Sequence, residues 1–411
     1  MNDMFQRFAH FLAYGSTDQQ SLRTLTNQYS GMIVPGTTAA FQAEGTRGFV
    51  LTLSAAEKFP YAIDSRFPLF QEYIASPRKS HLLLAKVFGI EHLIERYGSI
   101  RPQDWTPQLE GEIVERWIGF NTNYTDLRPA AFDKYARRLK KPLPQEEAGP
   151  PTWILPPYLM DSPGYPDSWE ISNRLWEGSV LAATRGGHES KLRRVVATWD
   201  VERLAELAIS VNQTEIVVWV SDLDELDLQR GDRLSAYARA IREIANVGKK
   251  PFALYGGYFA VMTGSVGLVG ASHGVGFSEY RNHVELPSTG GAPARYYVQR
   301  IHRYLPVDLA SELWRRNPSL VESFYSGFRS ADPLELEYHE LMEHSVRARY
   351  DEIQRSADMT ALNHVDHLDD IAGQYISDLS RIRLTEGLRK RIDQFTAHLP
   401  VWRFALDSSL T

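Results

Sequence analysis

Three short stretches hold the residues whose types and spacing suit chemistry. In "AIDSRF" (62–67), Asp64, Ser65 and Arg66 follow directly on an apolar run. A carboxylate in that place can act as a base, a nucleophile or a clamp on a substrate hydroxyl. An arginine beside it can pair with a phosphate or carboxylate. The same two residues can instead form a structural ion pair or cap the next helix. In "VSDLDE" (220–225), Asp222 and Asp224 stand two apart, on one face if the strand continues. Two close carboxylates can hold a divalent ion or share a proton, and an Asp after a strand is also a frequent helix N-cap.

The third stretch is "ALYGGYFAVMTGSVGLVGASHGVGFSEYRN" (253–282). Gly256 and Gly257 follow Tyr255 at a strand end, where free backbone N–H groups can approach an anion; the pair also fits a simple tight turn. Further on, His273, Glu279 and Arg281 stand among small residues. His273 suits proton transfer near neutral pH, and Glu279 suits acid or base work. Arg281 would clamp a ligand or lock Glu279 in a buried pair. Tyr158 and Asp161 lie just past another apolar run. The expected catalytic set is therefore Asp64, Asp222, His273 and Glu279. The expected binding set is Arg66, Tyr158, Asp224, Tyr255, Gly256, Gly257 and Arg281.

Other stretches carry weaker signals. "ARYYVQRIHRYLP" (294–306) has paired tyrosines and His302, which suit a site wall, ring stacking or amphipathic packing. "RRLKK" (137–141) reads as a solvated helix end. In "HVDH", His364 and His367 sit one helical turn apart with no third metal ligand in view. No G-x-S-x-G elbow, P-loop or G-x-G-x-x-G after a strand occurs.

The elements that must position these residues read as follows. Short, near-continuous apolar runs are "MIVP" (32–35), "GFVLTL" (48–53), "YAID" (61–64), "TWILPP" (152–157), "LRRVVATWD" (192–200), "EIVVWVSD" (215–222), "PFALYGG" (251–257) and "GLVGAS" (267–272). Runs without alternation mark strands buried on both faces, as in parallel sheets. Helical periodicity fills many of the gaps, as in "SHLLLAKVFGIEHLIERYG" and "GDRLSAYARAIREIANVGK". Alternation of this kind predicts an α/β fold, and about eight strands predict a TIM-like (β/α)8 barrel, with a doubly wound open sheet as the alternative. The barrel would span 1–330, with a helical insertion at about 100–150. From 331 to 411 strands vanish and amphipathic helices follow, suited to packing on the barrel or to an oligomer or partner interface. In a parallel barrel the strand C-terminal ends form the site, so the scattered polar residues above would converge on one mouth.

Bulk composition narrows the classes. Of 411 residues, 43% are hydrophobic and 23% charged, with a net charge of −6, which argues against a general nucleic-acid coat. There is no cysteine, so disulfides, thiolate zinc sites and a Cys nucleophile are excluded. The N-terminal stretch lacks a signal-peptide pattern, and apolar runs fall short of the roughly 20 residues a membrane helix needs. A cytoplasmic location is the expectation.

"AIDSRFPLFQ" (62–71) resembles the strand-end Asp-Ser…Phe-Gln stretch of the tRNA-guanine transglycosylase-like barrels, and Gly256-Gly257 after a late strand is similar to theirs. The resemblance covers a handful of residues. It implies base exchange at a glycosidic carbon, with Asp64 near the base and another aspartate, Asp222, as nucleophile. Arg66 and Phe67 replace glycines of the family motif, and the family's cysteine-rich zinc site has no counterpart. Together the residues point to carboxylate and histidine chemistry on a sugar-, nucleoside- or phosphate-bearing ligand, as a hydrolase or a glycosyl- or base-exchange transferase. The alternative is a non-catalytic barrel that serves as a binding or scaffold subunit through its helical regions. The cofactor is open, with a divalent ion at Asp222 and Asp224 as one option.

Overall fold

A computed structural model describes residues 8–140, 143–276, 280–284 and 293–410. Eight strands form one sheet: β1 (Ala9–Ala13), β2 (Gly31–Pro35), β3 (Tyr61–Asp64), β4 (Trp153–Ile154), β5 (Arg194–Thr198), β6 (Glu215–Val220), β7 (Lys250–Ala253) and β8 (Gly270–Gly274). All pairings are parallel, in the order β4-β3-β2-β1-β8-β7-β6-β5. Runs such as "RVVAT" and "EIVVWV" suit this, because β-branched side chains pack well on a pleated surface covered on both faces.

Side chains alternate between two cores. Phe11, Ile33, Ala62, Trp153, Val217 and Phe252 share an inner cluster, while Leu12, Met32, Ile63 and Val218 face the helices. Phe11 stacks on Trp153 at 5.1 Å, and Trp153 meets Phe252 edge-on at 5.3 Å. Rings from β1, β4 and β7 can meet only if the sheet curls around them. Gly31 admits the Phe11 ring, which lies 2.5 Å from where a Cβ would stand. The sheet's two edges also exchange backbone bonds: Arg193 N donates to Ile154 O at 3.0 Å, and Asp161 N to Ala197 O at 2.9 Å.

One expected strand is a helix, and a strand forms where none was expected. "GFVLTL" is not a strand but the middle of the helix Ala43–Glu57, with Phe49, Val50, Leu51 and Leu53 buried. The strand it was expected to supply is β1, in the N-terminal stretch "AHFLA". A short apolar run has no period that separates a buried helix from a buried strand. The expected insertion is helical, with Pro107–Thr122 and Pro129–Arg138 each starting on proline, where the missing N–H costs nothing. Trp117 anchors it by donating to Leu155 O at 2.8 Å.

Past the sheet, β9 (Arg295–Val298) and β10 (Arg303–Pro306) form an antiparallel ribbon. The helices Tyr338–Ser356, Ala361–Ser380, Glu386–Thr396 and His398–Ser408 follow. They pack on their own chain: Trp402 is buried, and its Nε1 donates to Glu225 O at 2.5 Å. Among the described residues, no helix is long and apolar enough to cross a membrane.

Candidate functional site

Asp64 ends β3 and shares the inward face of Ala62, two residues earlier. Its carboxylate is fully buried and takes three donors among the described residues. Tyr158 Oη lies 2.7 Å from Oδ1, Tyr255 Oη 2.7 Å from Oδ2, and the Arg66 amide 3.1 Å from Oδ1. Tyr158 follows β4 and Tyr255 follows β7, so strands far apart in sequence meet over one carboxylate. Burial first, then the Asp64 charge, holds both phenols above their ordinary range, so both remain donors.

Trp219, from β6, floors the group, 5.5 Å from the Tyr255 ring and 6.2 Å from that of Tyr158. The Arg66 guanidinium lies 5.0 Å over Trp219, and that of Arg281 lies 4.9 Å over Tyr255. Aromatic faces stabilise such cations by about 0.5–2 kcal/mol, more as water is excluded. Arg66 has a left-handed φ of 51°, a strained backbone for a non-glycine.

A second cluster adjoins the first. Arg66 Nη2 donates to Asn282 O at 3.2 Å, and Asn282 Nδ2 donates to Asp222 Oδ2 at 2.5 Å. Asp222 is also left-handed, with φ 53°, and its amide donates to Arg281 O at 3.2 Å. Beside it, Ser221 Oγ lies 2.9 Å from His283 Nδ1. Burial pulls His283 down to about 4, so this imidazole is neutral at pH 7. The segment 280–284 thus ties the end of β3 to the end of β6.

The structure therefore brings Asp64, Arg66, Tyr158, Tyr255 and Arg281 together and links Asp222 to them through Asn282. Other expectations need correction. His273 pairs in register with Leu12 on the helix-facing side of the sheet, not at the mouth. It stacks edge-on with His10 at 4.9 Å, its Nδ1 bonds Gly256 O, and burial holds it well below the ordinary histidine range. Gly257 does open a helix, but its N–H donates to the Glu225 carboxylate at 2.6 Å, as do Phe259 and Ala260. A side chain of the chain itself occupies the expected anion cradle, and the Gly256 amide goes to Ser272 O at 3.1 Å. Asp224 closes its own turn by accepting from Leu226 N at 2.9 Å. Among the described residues no group of three His, Cys, Asp or Glu is placed to hold a metal. Glu279 lies outside the described residues.

Sequence reasoning missed Trp219, Glu225, Asn282 and His283. Trp219 had a readable signal, since it lies two residues past Val217 in a strand and must share its face. Glu225 stood in the quoted acidic run as its third carboxylate. No family model matches the chain, and no curated protein matches it.

Proposed function

We propose that this chain is a closed (β/α)8 barrel enzyme whose site is the mouth built on Asp64. The edge bonds between the β4 and β5 sides support closure. The observation that carries the functional reading is a buried strand-end carboxylate held by two tyrosine hydroxyls, with two guanidinium groups on aromatic rings beside it. Three donors leave Asp64 an unused lone pair for a ligand hydroxyl or amine. Arg66 and Arg281 would hold the anionic part of a sugar-, nucleoside- or phosphate-bearing ligand. Asp222, on its strained backbone, is the second carboxylate and takes the nucleophile role that the transglycosylase resemblance implies.

A second reading, a non-catalytic binding or scaffold subunit, draws support from the C-terminal helices. Leu362, Ile376 and Phe404 are each more than 60% exposed there. A thermal-shift screen with nucleobases, nucleosides and sugar phosphates separates the two. On the enzyme reading, a ligand stabilises the wild type and leaves Asp64→Asn and Asp222→Asn unshifted. A screen in which nothing moves the wild type sinks the enzyme reading and favours the scaffold.

A further inference from the structure

Away from the Asp64 cluster, the β9–β10 turn and the helices Tyr338–Ser356 and Ala361–Ser380 line a half-open cavity of about 230 Å³. At roughly 30 Å³ per water, it holds a small polar molecule and not a peptide. Its wall includes Arg300, His302, Phe324, Arg355, His367 and Asp370.

His302 is the unusual member. It is 4% exposed and sits at the ribbon turn with a left-handed φ of 52°. Its ring lies flat on Tyr258, 3.6 Å between centroids and 8° from parallel. Nδ1 is 2.6 Å from the buried Glu352 carboxylate, which the Tyr297 hydroxyl also reaches at 2.9 and 3.0 Å. These contacts fix the imidazole in position and orientation, as a carboxylate behind a histidine does in working sites. The other nitrogen, Nε2, is buried with no hydrogen-bond partner among the described residues, on a ring that lines the cavity. Burial holds His302 well below the ordinary histidine range, so the ring is neutral, and with Nδ1–H turned to the Glu352 carboxyl group Nε2 is its acceptor.

We propose that this cavity is a second ligand site, which takes a small hydroxyl-bearing anion such as a sugar phosphate or a hydroxy acid. Nε2 of His302 would accept from the hydroxyl. Arg300 and Arg355 would meet the anion. Each is already ion-paired, to Asp378 and Asp351 at 2.8 Å, but a guanidinium has five N–H donors and these pairs leave some free. Asp370, at the exposed rim, would accept a further hydroxyl.

The test uses the full chain carrying Phe324→Trp as a fluorescent reporter at the cavity wall. The probe is glycerol 3-phosphate, with glycerol and inorganic phosphate as controls. Saturable binding of glycerol 3-phosphate at millimolar concentration, tighter than both controls, is the expected result. His302→Gln should weaken it about tenfold, the worth of one lost hydrogen bond to a desolvated partner. Arg355→Gln, a partly exposed position, should do the same and guards against a His302 variant that fails to fold. Asp64→Asn should leave binding unchanged, which separates this site from the mouth. Absence of saturable binding overturns the proposal, as does equal affinity for inorganic phosphate, or binding unaltered in both cavity variants.

Discussion

The Asp64 mouth and the His302 cavity are both built around a buried carboxylate, and they use it in opposite ways. At the mouth, tyrosine hydroxyls from beyond the ends of two other strands converge on Asp64, so the chain directs its donors at the carboxylate itself. At the cavity, Glu352 stands behind His302, and the nitrogen facing away from it has no hydrogen-bond partner among the described residues. A carboxylate held by several donors is preorganised in place with little valence left over, whereas an imidazole anchored on one side keeps its whole second nitrogen open on the other. Burial alone therefore does not mark a working group; the direction of its open valence does.

The largest break in this comparison comes from deleting the mouth carboxylate. Asp64→Ala should cost about 3–5 kcal/mol in urea denaturation, because it leaves buried hydroxyls and a buried guanidinium uncompensated. A cost below about 1 kcal/mol would mean that the mouth relaxes freely and is not preorganised.

Acid should expose the second region next. His344 and His364, on the two helices that wall the cavity, are lowered by burial to about 4, and His10 in β1 to about 3. Their folded values lie below the unfolded one near 6.5, so the unfolded chain binds more protons between about pH 6.5 and 4. Stability is thus lost as pH falls through that window, by up to about 3 kcal/mol per histidine. Glu352 and Asp18, whose carboxyls burial raises to about 7 and about 6, oppose part of the loss. Melting temperature should drop from pH 6.5 to 4, with hydrogen exchange rising first in Tyr338–Ser356 and Ala361–Ser380. A flat profile would contradict the neutral burial of these rings.

The smallest effect sharpens the mouth alone. Tyr158→Phe should cost about 1 kcal/mol, since Tyr255 and the Arg66 amide still hold Asp64. An effect as large as that of Asp64→Ala would show that the two phenols act as one unit.

What the sequence determined by itself follows from local chemistry. Near-continuous apolar runs require burial on both faces, which parallel strands supply, and polar residues just beyond those runs that are strands lie at one end of the sheet. Asp64, Arg66, Tyr158 and Tyr255 were legible in this way, and the lack of cysteine excluded thiolate chemistry outright. Only tertiary structure decided the rest. Whether "GFVLTL" or "AHFLA" supplied a strand depended on what each packed against. His273 turned outward because the register of β8 on β1 set its face, and a shift of one residue would have reversed it. Glu225 filled the glycine cradle because the loop after β6 passes the helix start after β7. His302 acquired its carboxylate from 50 residues away, across a helix and a ribbon that no local pattern links. Side-chain type and short-range period are written along the chain, but the partner of a buried polar group is chosen by packing.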